Sequence, residues 1–299
     1  MNNLRSSLFG LTLGVLSTAT GFALDIAKID EITGLKGVMN EDEGVYKVSQ
    51  PRDDVKVSVD GWQMPPFMGL TSWAAFTAGK KEAAMVMGDL VLFQDEVNPV
   101  MSAAFEAGLS VTALHNHFFF DEPKVYFMHI GGEGDVEKLA TGVKAALAKV
   151  KEIRTAKPEL SKSFGPPPPA KNSISGSPIE EAIGVKGQAK DGMFKVVIGR
   201  KAKMPCGCEV GKEMGVNTWA AFAGSDDNAV VDGDFVVTED ELQPVLKSLR
   251  ASHINVVAIH NHMTHEQPRM IFLHYWGRGK ALDLSGAVKQ ALGLTSSTL

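Results

Sequence analysis

Three histidines recur at matching positions in two similar stretches of the chain: His115, His117 and His129, then His260, His262 and His274. Side chains at positions i and i+2 of a β-strand point to the same face, so the members of each His-x-His pair should be neighbours. If the turn that follows centres on Glu122, His129 lies directly opposite His115, where paired Cβ atoms are about 4.5 to 5.5 Å apart. The spacing therefore predicts three imidazoles in one patch, built twice.

Three imidazoles in one patch suit a divalent transition metal, zinc first, with copper, iron and manganese as alternatives. Zinc binds imidazole nitrogen at about 2.0 to 2.1 Å, and three protein ligands leave a fourth position for water or a substrate. Two other interpretations stay open. Histidines on a half-buried strand are often hydrogen-bonded core residues, and paired histidines can also exchange protons without a metal.

Four acidic residues are candidates for a fourth ligand or for a catalytic proton carrier: Asp121, Glu266, Glu96 and Glu241. Asp121 and Glu266 correspond to each other in the turn after the His-x-His pair, where the alternative is a solvated loop residue. Glu96 and Glu241 also correspond, but they lie just before a helix, where an acid commonly compensates the helix dipole. We therefore expect Asp121 and Glu266 to be the better candidates.

The histidine stretches belong to a repeat that covers most of the chain. The residues Ala-Leu-His-Asn-His at 113–117 return as Ala-Ile-His-Asn-His at 258–262, and Gly-Asp at 88–89 returns at 233–234. The offset between these motifs is a constant 145 residues. We predict a signal peptide over residues 1–23, a first repeat domain over 24–153, a proline-rich linker over 154–178 and a second repeat domain over 179–299.

Within each copy, short strand-like runs alternate with amphipathic segments, which predicts an α+β fold. In the first copy, strands are expected at 45–48, 55–59, 73–76, 83–93, 110–118 and 124–130. One helix should begin at Asn98-Pro99, because proline is tolerated at the first helical position, and end at Gly108. Another should cover 136–150. The hairpins favour a mainly antiparallel sheet in each of two units related by internal duplication.

Composition and the N-terminal segment restrict the class of protein. The chain has 299 residues and a formal net charge of −5, so no basic surplus is available to release counterions from nucleic-acid phosphates. The first 23 residues combine Arg5, a short apolar stretch and small residues at a cleavage site, which predicts a periplasmic or secreted protein. We expect no integral membrane span after signal cleavage. The expected partners are a metal ion and an unknown small molecule or cell-envelope substrate.

Two cysteines lie in one loop of the second copy, in the sequence Cys206-Gly207-Cys208, with Met204 and Met214 nearby. Thiolate and thioether ligands suit Cu(I). An oxidising compartment favours a disulfide instead, and both alternatives stay open.

Three segments together carry a resemblance to a known family. They are Gly88-Asp89-Leu90-Val91-Leu92 with Glu96 to Val100, then Val111 to His117, then Val125 to His129 running into Gly134-Asp135. These segments resemble the LppY/LpqO family of bacterial exported proteins, and the resemblance covers nearly all of the mature chain. It implies export and a duplicated domain of unknown function, and it implies no particular activity.

The leading hypothesis from the sequence is an exported metal-binding protein with duplicated histidine sites. Its enzymatic form would be a metal-dependent hydrolase or lyase, in which the open coordination position polarises a substrate or activates water. The alternatives are a metal-binding or metal-trafficking protein without catalysis, and a metal-free enzyme that uses histidines as acid and base.

Overall fold

A sheet of twelve strands runs through both halves of the chain in the computed structural model, which describes residues 24–296. The strands of the first half are β1 (Val38–Asn40), β2 (Val45–Pro51), β3 (Ser58–Val59), β4 (Trp62–Gln63), β5 (Thr71–Ala78), β6 (Ala84–Phe93), β7 (Ser110–His115), β8 (Asp121–Glu122) and β9 (Val125–Gly134). Those of the second half are β10 (Gly187–Lys190), β11 (Met193–Gly199), β12 (Ala202–Lys203), β13 (Glu209–Val210), β14 (Asn217–Ser225), β15 (Asn228–Thr238), β16 (Asn255–His260) and β17 (Met270–Gly279).

The order of the strands is the same in both halves, read from the outside inwards. The sheet runs β1-β2-β5-β6-β9-β7 and continues as β16-β17-β15-β14-β11-β10, with antiparallel pairing between neighbours. The halves meet where Leu114 of β7 pairs with Ile259 of β16. The mixed strand and helix composition and the mainly antiparallel sheet confirm the predicted fold class, and the two predicted units share one sheet.

Six α-helices accompany the sheet within residues 24–296: α1 (Ile26–Thr33), α2 (Val97–Glu106), α3 (Val136–Ala156), α4 (Gly176–Ile183), α5 (Glu239–Ala251) and α6 (Ala281–Leu292). Alternation along the strands selects the face that these helices cover. Ala74 and Phe76 of β5, for example, are buried in the large core, while Ala75 between them is only half-buried. None of the described helices has both the length and the apolar character that crossing a bilayer requires.

The opposite face of the sheet carries two smaller cores, one in each half. In the first half, β3, β4 and β8 form a three-stranded sheet, and Val91, Phe93 and Phe127 belong to the small core there. In the second half, the β12–β13 pair accompanies a core that contains Val236 and Phe272. The strand ends that carry the histidines therefore lie beside packed aromatic residues.

The predicted boundaries differ from the structure at the middle of the chain. Helix α3 continues to Ala156, past the expected end of the first domain at 153, and α4 begins at Gly176, inside the expected linker. The segment between them is docked, since Arg278 donates to the carbonyl of Gly165 at 3.2 Å and Ser173 forms a bridge to β14. The signal peptide predicted over residues 1–23 lies outside the described residues.

Candidate metal centre

The histidines of both clusters lie on the face of the sheet that the helices leave uncovered. His115 is the last residue of β7 and follows Leu114, which is buried against the helices. Because side chains alternate along a strand, His115 points away from the helices. His260 takes the same position after Ile259 at the end of β16.

The predicted hairpin register is wrong by two residues, although its conclusion about the shared face holds. His115 lies opposite Phe127, and His129 lies opposite Ala113. The tight turn assumed around Glu122 does not form, because Glu122 pairs with the small strand β3 instead. The diagonal arrangement still brings the rings together, with 3.1 Å between the Nε2 atoms of His115 and His129.

In the first half, the three imidazoles stack but do not surround a common point. The ring centroids of His115 and His117 are 5.1 Å apart with an interplanar angle of 19°, and His117 lies flat on Phe127 at 3.4 Å. Burial, followed by the charge of His115, lowers the pKa of His117. Within residues 24–296, no three acidic, histidine or cysteine donor atoms of this half lie within 4.8 Å of one another.

In the second half, an aspartate joins the histidines. Donor atoms of Asp234, His260 and His274 all lie within 4.8 Å of one another. The Nε2 atoms of His260 and His262 are 3.1 Å apart, and Asp234 Oδ2 lies 3.7 Å from His262 Nε2 and 4.0 Å from His274 Nδ1. A tetrahedral zinc ion with bonds near 2.0 to 2.1 Å needs donors about 3.3 Å apart. The three grouped donors would therefore have to move closer together, and His262, which lies outside that group, would have to move further to become a fourth ligand.

The electrostatics of the second cluster favour a bound cation. Asp234 is 3% exposed, and its Oδ1 has no hydrogen-bond partner among the described residues. Burial raises the pKa of Asp234 to about 6, although the charge of His274 opposes this shift. Burial and the charges of His274 and His262 lower the pKa of His260 to about 4, so this imidazole is neutral at pH 7 and able to bind a metal.

The sequence reasoning missed Asp234 as a candidate ligand. The available signal was the Gly-Asp pair that recurs 145 residues apart, which served only as evidence for the repeat. Asp234 lies directly opposite His274 in the β15–β17 ladder, just as Asp89 lies opposite His129. Gly233 is needed because the ring of Tyr275 occupies the space that a Cβ would take, while the Tyr275 hydroxyl donates to Trp219 O at 3.0 Å.

Asp121 and Glu266 are buried and brace the loops that follow the His-x-His pairs. Asp121 Oδ2 accepts the backbone N–H of Val125 at 2.8 Å, and Glu266 Oε1 accepts that of Met270 at 2.9 Å. Neither carboxylate joins a group of metal-type donors within the described residues. Burial opposes ionisation of Asp121, but hydrogen bonds from Lys124 and from the backbone lower its pKa. The burial of both residues argues against the alternative of a solvated loop residue, and the proton-carrying role stays a prediction.

Glu96 and Glu241 form buried ion pairs, and their role as proton carriers stays a prediction. Glu96 is fully buried and binds the guanidinium of Arg52, with Nη1 to Oε2 at 2.8 Å. Glu241 binds Arg200 and accepts the backbone N–H of Thr238 in a capping box at the start of α5. Burial opposes ionisation of Glu241, but hydrogen bonds from Arg200 and from the backbone lower its pKa to about 2.

Cys206 and Cys208 are exposed free thiols in the turn between β12 and β13. The backbone N–H of Cys208 lies 3.4 Å from Cys206 Sγ. A hydrogen bond from Cys208 lowers the pKa of Cys206, which favours the thiolate form. Neither thiol joins the histidine cluster within residues 24–296.

Comparison with known proteins identifies a family and no characterised relative. The family model described as "Domain of Unknown Function (DUF1259)" matches residues 27–149 and 177–294. No curated protein matches the chain. Among solved structures, the trimeric bacterial microcompartment shell protein PduB is 11% identical, over 86% of this chain and 89% of that one, with a TM-score of 0.22. The double ringed trimeric shell protein MSM0271 from the RMM microcompartment is 11% identical, over 84% and 97%, with a TM-score of 0.17. Scores this low carry no argument about fold or function.

Proposed function

Because the chain belongs to the DUF1259 family of domains of unknown function, here present twice, we propose from its residues that it is an exported metal-binding protein. The second half would hold one divalent transition metal through Asp234, His260, His262 and His274. The observation that carries the proposal is the convergence of an aspartate and two histidines within 4.8 Å, with a third imidazole 3.1 Å from His260.

The donor set limits the metal. Three imidazoles with one carboxylate suit zinc, iron and manganese, and imidazole also suits copper, whereas calcium and magnesium prefer oxygen ligands alone. Zinc remains the first candidate because three imidazoles and one carboxylate would satisfy its preference for four nitrogen and oxygen ligands. A bound ion would supply Lewis acidity if one donor left and a substrate took its position. A metal-dependent hydrolase or lyase is the enzymatic form of this proposal.

Two alternatives have support of their own. A metal-free acid and base function would use the imidazole pairs, whose Nε2 atoms lie 3.1 Å apart in both halves. A metal-trafficking function would add the exposed Cys206 and Cys208 thiols as soft ligands for Cu(I).

Elemental analysis of protein purified without a histidine tag tests the proposal. We expect about one transition-metal ion per chain, bound either as isolated or after incubation with zinc, copper, iron or manganese followed by gel filtration. Metal below about 0.2 ions per chain under all these conditions would refute both the metal-binding and the trafficking proposals, and would leave the metal-free one.

The ligand assignment has its own test in the double variant His115→Ala/His260→Ala and in the single variant His260→Ala. We expect both to lose the ion, since His260 belongs to the converging group. Retention of a full equivalent of metal in the double variant would refute the assignment.

The setting of this function is also proposed. The signal peptide predicted over residues 1–23 and the resemblance to the LppY/LpqO family support export to the periplasm or beyond. The substrate would then be a small molecule or a component of the cell envelope.

A further inference from the structure

We use the word seam for the line along which β7 and β16 meet, at Leu114 and Ile259. A cleft of about 400 Å³ opens at this seam, beside the second histidine cluster. Its lining includes Glu239, Leu242, Ile259, His260, Arg269 and Ile271. Leu242 and Ile259 are buried and Ile271 is half-buried, whereas Arg269 is exposed. Small-molecule sites commonly measure about 300 to 1,000 Å³ and combine an apolar wall with a few polar groups, as this cleft does.

The equivalent place in the first half is nearly closed. There, Tyr126 occupies the position of Ile271, and Val97 occupies the position of Leu242. Phe164, from the segment between α3 and α4, also lines this space. The remaining volume is about 80 Å³. The chain thus places aromatic rings against this surface in one half and leaves the corresponding space open in the other.

The charged residue at the rim is also tightly paired in the first half and only loosely paired in the second. In the first half, Lys124 is held by Asp121, with 2.8 Å between Nζ and Oδ1. Its counterpart Arg269 lies 3.6 Å from Glu239, too far for a hydrogen bond, and the two side chains are 53% and 68% exposed. An exposed pair at this distance contributes little, so the guanidinium of Arg269 keeps donors for a carboxylate.

We propose that this seam cleft binds a small carboxylate with an aromatic or branched apolar body. The body would contact Leu242, Ile259 and Ile271, and the carboxylate would accept hydrogen bonds from Arg269. Binding would depend on the walls of the cleft and not on the metal. His260 borders both the cleft and the proposed metal site, but its imidazole points away from the helices while Leu242 belongs to α5, so the occupant and the ion would lie on opposite faces of the sheet.

The test uses the full mature chain after removal of metal with a chelator. Calorimetric titration with phenylacetate should show one saturable site per chain. Benzyl alcohol has the ring without the charge and acetate has the charge without the ring, so each should bind at least about tenfold more weakly. Absence of saturable phenylacetate binding up to about 10 mM, or equal binding of acetate, would overturn the proposal.

Matched variants locate the site. Ile271→Tyr introduces the residue of the first half and should fill the cleft. Arg269→Gln removes an exposed charge without disturbing the core. Each variant should weaken phenylacetate binding by roughly tenfold or more. Tyr126→Ile at the equivalent position should leave the affinity of the second-half cleft unchanged. If Ile271→Tyr fails to fold, Arg269→Gln decides, and wild-type affinity in that variant would refute the proposal. Because the protein is metal-free, these results are independent of whether it binds a metal ion.

Discussion

The side-chain amide of Asn98 holds the backbone of Val256, in the opposite half of the chain, through two hydrogen bonds. Its Nδ2 donates to Val256 O at 3.1 Å, and its Oδ1 accepts from Val256 N at 2.7 Å. Gln243 holds Val111 in the same way, at 2.7 and 3.1 Å. Both backbone segments lie where β7 and β16 depart from regular register with their hairpin partners. The two amides therefore supply partners that the irregular ladders lack, and they tie the halves together.

Removing the buried amide should destabilise the whole sheet. We expect Asn98→Ala to lower the free energy of unfolding by about 2 to 4 kcal/mol, because it leaves a buried donor and a buried acceptor unpaired. The half-buried Gln243 should matter less, about 1 to 2 kcal/mol for Gln243→Ala, because its own side chain is partly exposed to water. Urea denaturation measures both values. Gln290→Ala, an exposed amide on α6, is the control and should change stability by less than about 0.5 kcal/mol. A loss for Asn98→Ala no larger than for this control would contradict the role of the seam.

The sequence predicted the histidine face but not its register, and the reason is physical. Alternation along a strand fixes which side chains share a face, and this rule is local. Register depends on the turn, and here residues after His117 leave the ladder so that Glu122 can pair with Ser58, a contact across 64 positions. Nothing in the local pattern of the hairpin indicates that distant partner.

The seam and the aspartate were missed for a related reason. Leu114 pairs with Ile259 and so joins β7 to β16. The sequence pattern of each half indicates only that its strand lies at the edge of its own hairpin. Asp234 is a ligand candidate only because β15 lies beside β17, which brings it opposite His274. The repeated Gly-Asp pair marked the position, but only the strand order gives its neighbour.

The asymmetry between the halves predicts different effects of equivalent substitutions. Asp234→Asn should lower the affinity for zinc by about 10- to 100-fold, because it removes a buried charge from the donor group. Asp89→Asn alters the corresponding buried residue of the first half, where no such group forms, and should leave the affinity within about twofold. Competition titration with a zinc chelator measures both. Equal losses in the two variants would show that the halves bind metal alike, against the arrangement described above.

The ion pair at the start of α5 predicts that substitution of Glu241 lowers the stability of the protein but not its metal content. Glu241→Gln leaves the guanidinium of Arg200 without its charged partner in a site where that side chain is 8% exposed, so we expect a cost of about 3 to 5 kcal/mol. Glu239→Gln, on the same helix and 68% exposed, should cost about 1 kcal/mol or less. Denaturation curves give these values, and elemental analysis should find the same metal content in both variants. Loss of metal in a folded Glu241→Gln protein would instead support the prediction that this residue belongs to the site.

Acid should remove the contribution of Glu241 within a defined range of pH. Burial opposes its ionisation, but hydrogen bonds from Arg200 and from the backbone of Thr238 and Ser296 lower the pKa to about 2, against an ordinary value of 4.5. A carboxyl whose pKa is lower in the folded than in the unfolded state stabilises the fold above the ordinary value, and this contribution is lost as the pH falls towards the folded value. The difference in unfolding free energy between wild type and Glu241→Gln should therefore be constant from pH 7 to about 5 and shrink from about 4.5 downwards.

Urea unfolding of the two proteins in parallel, at pH values of about 7, 5, 4 and 3, measures this difference. Other carboxyls with a lowered pKa, such as Asp54 and Asp121, titrate in both proteins and cancel in the comparison. The substitution removes only one titrating group, so the pH at which the difference begins to shrink reports the unfolded-state pKa of Glu241. A difference that grows on acidification would mean that the carboxyl is protonated in the folded state, and the ion pair with Arg200 would then not exist in solution.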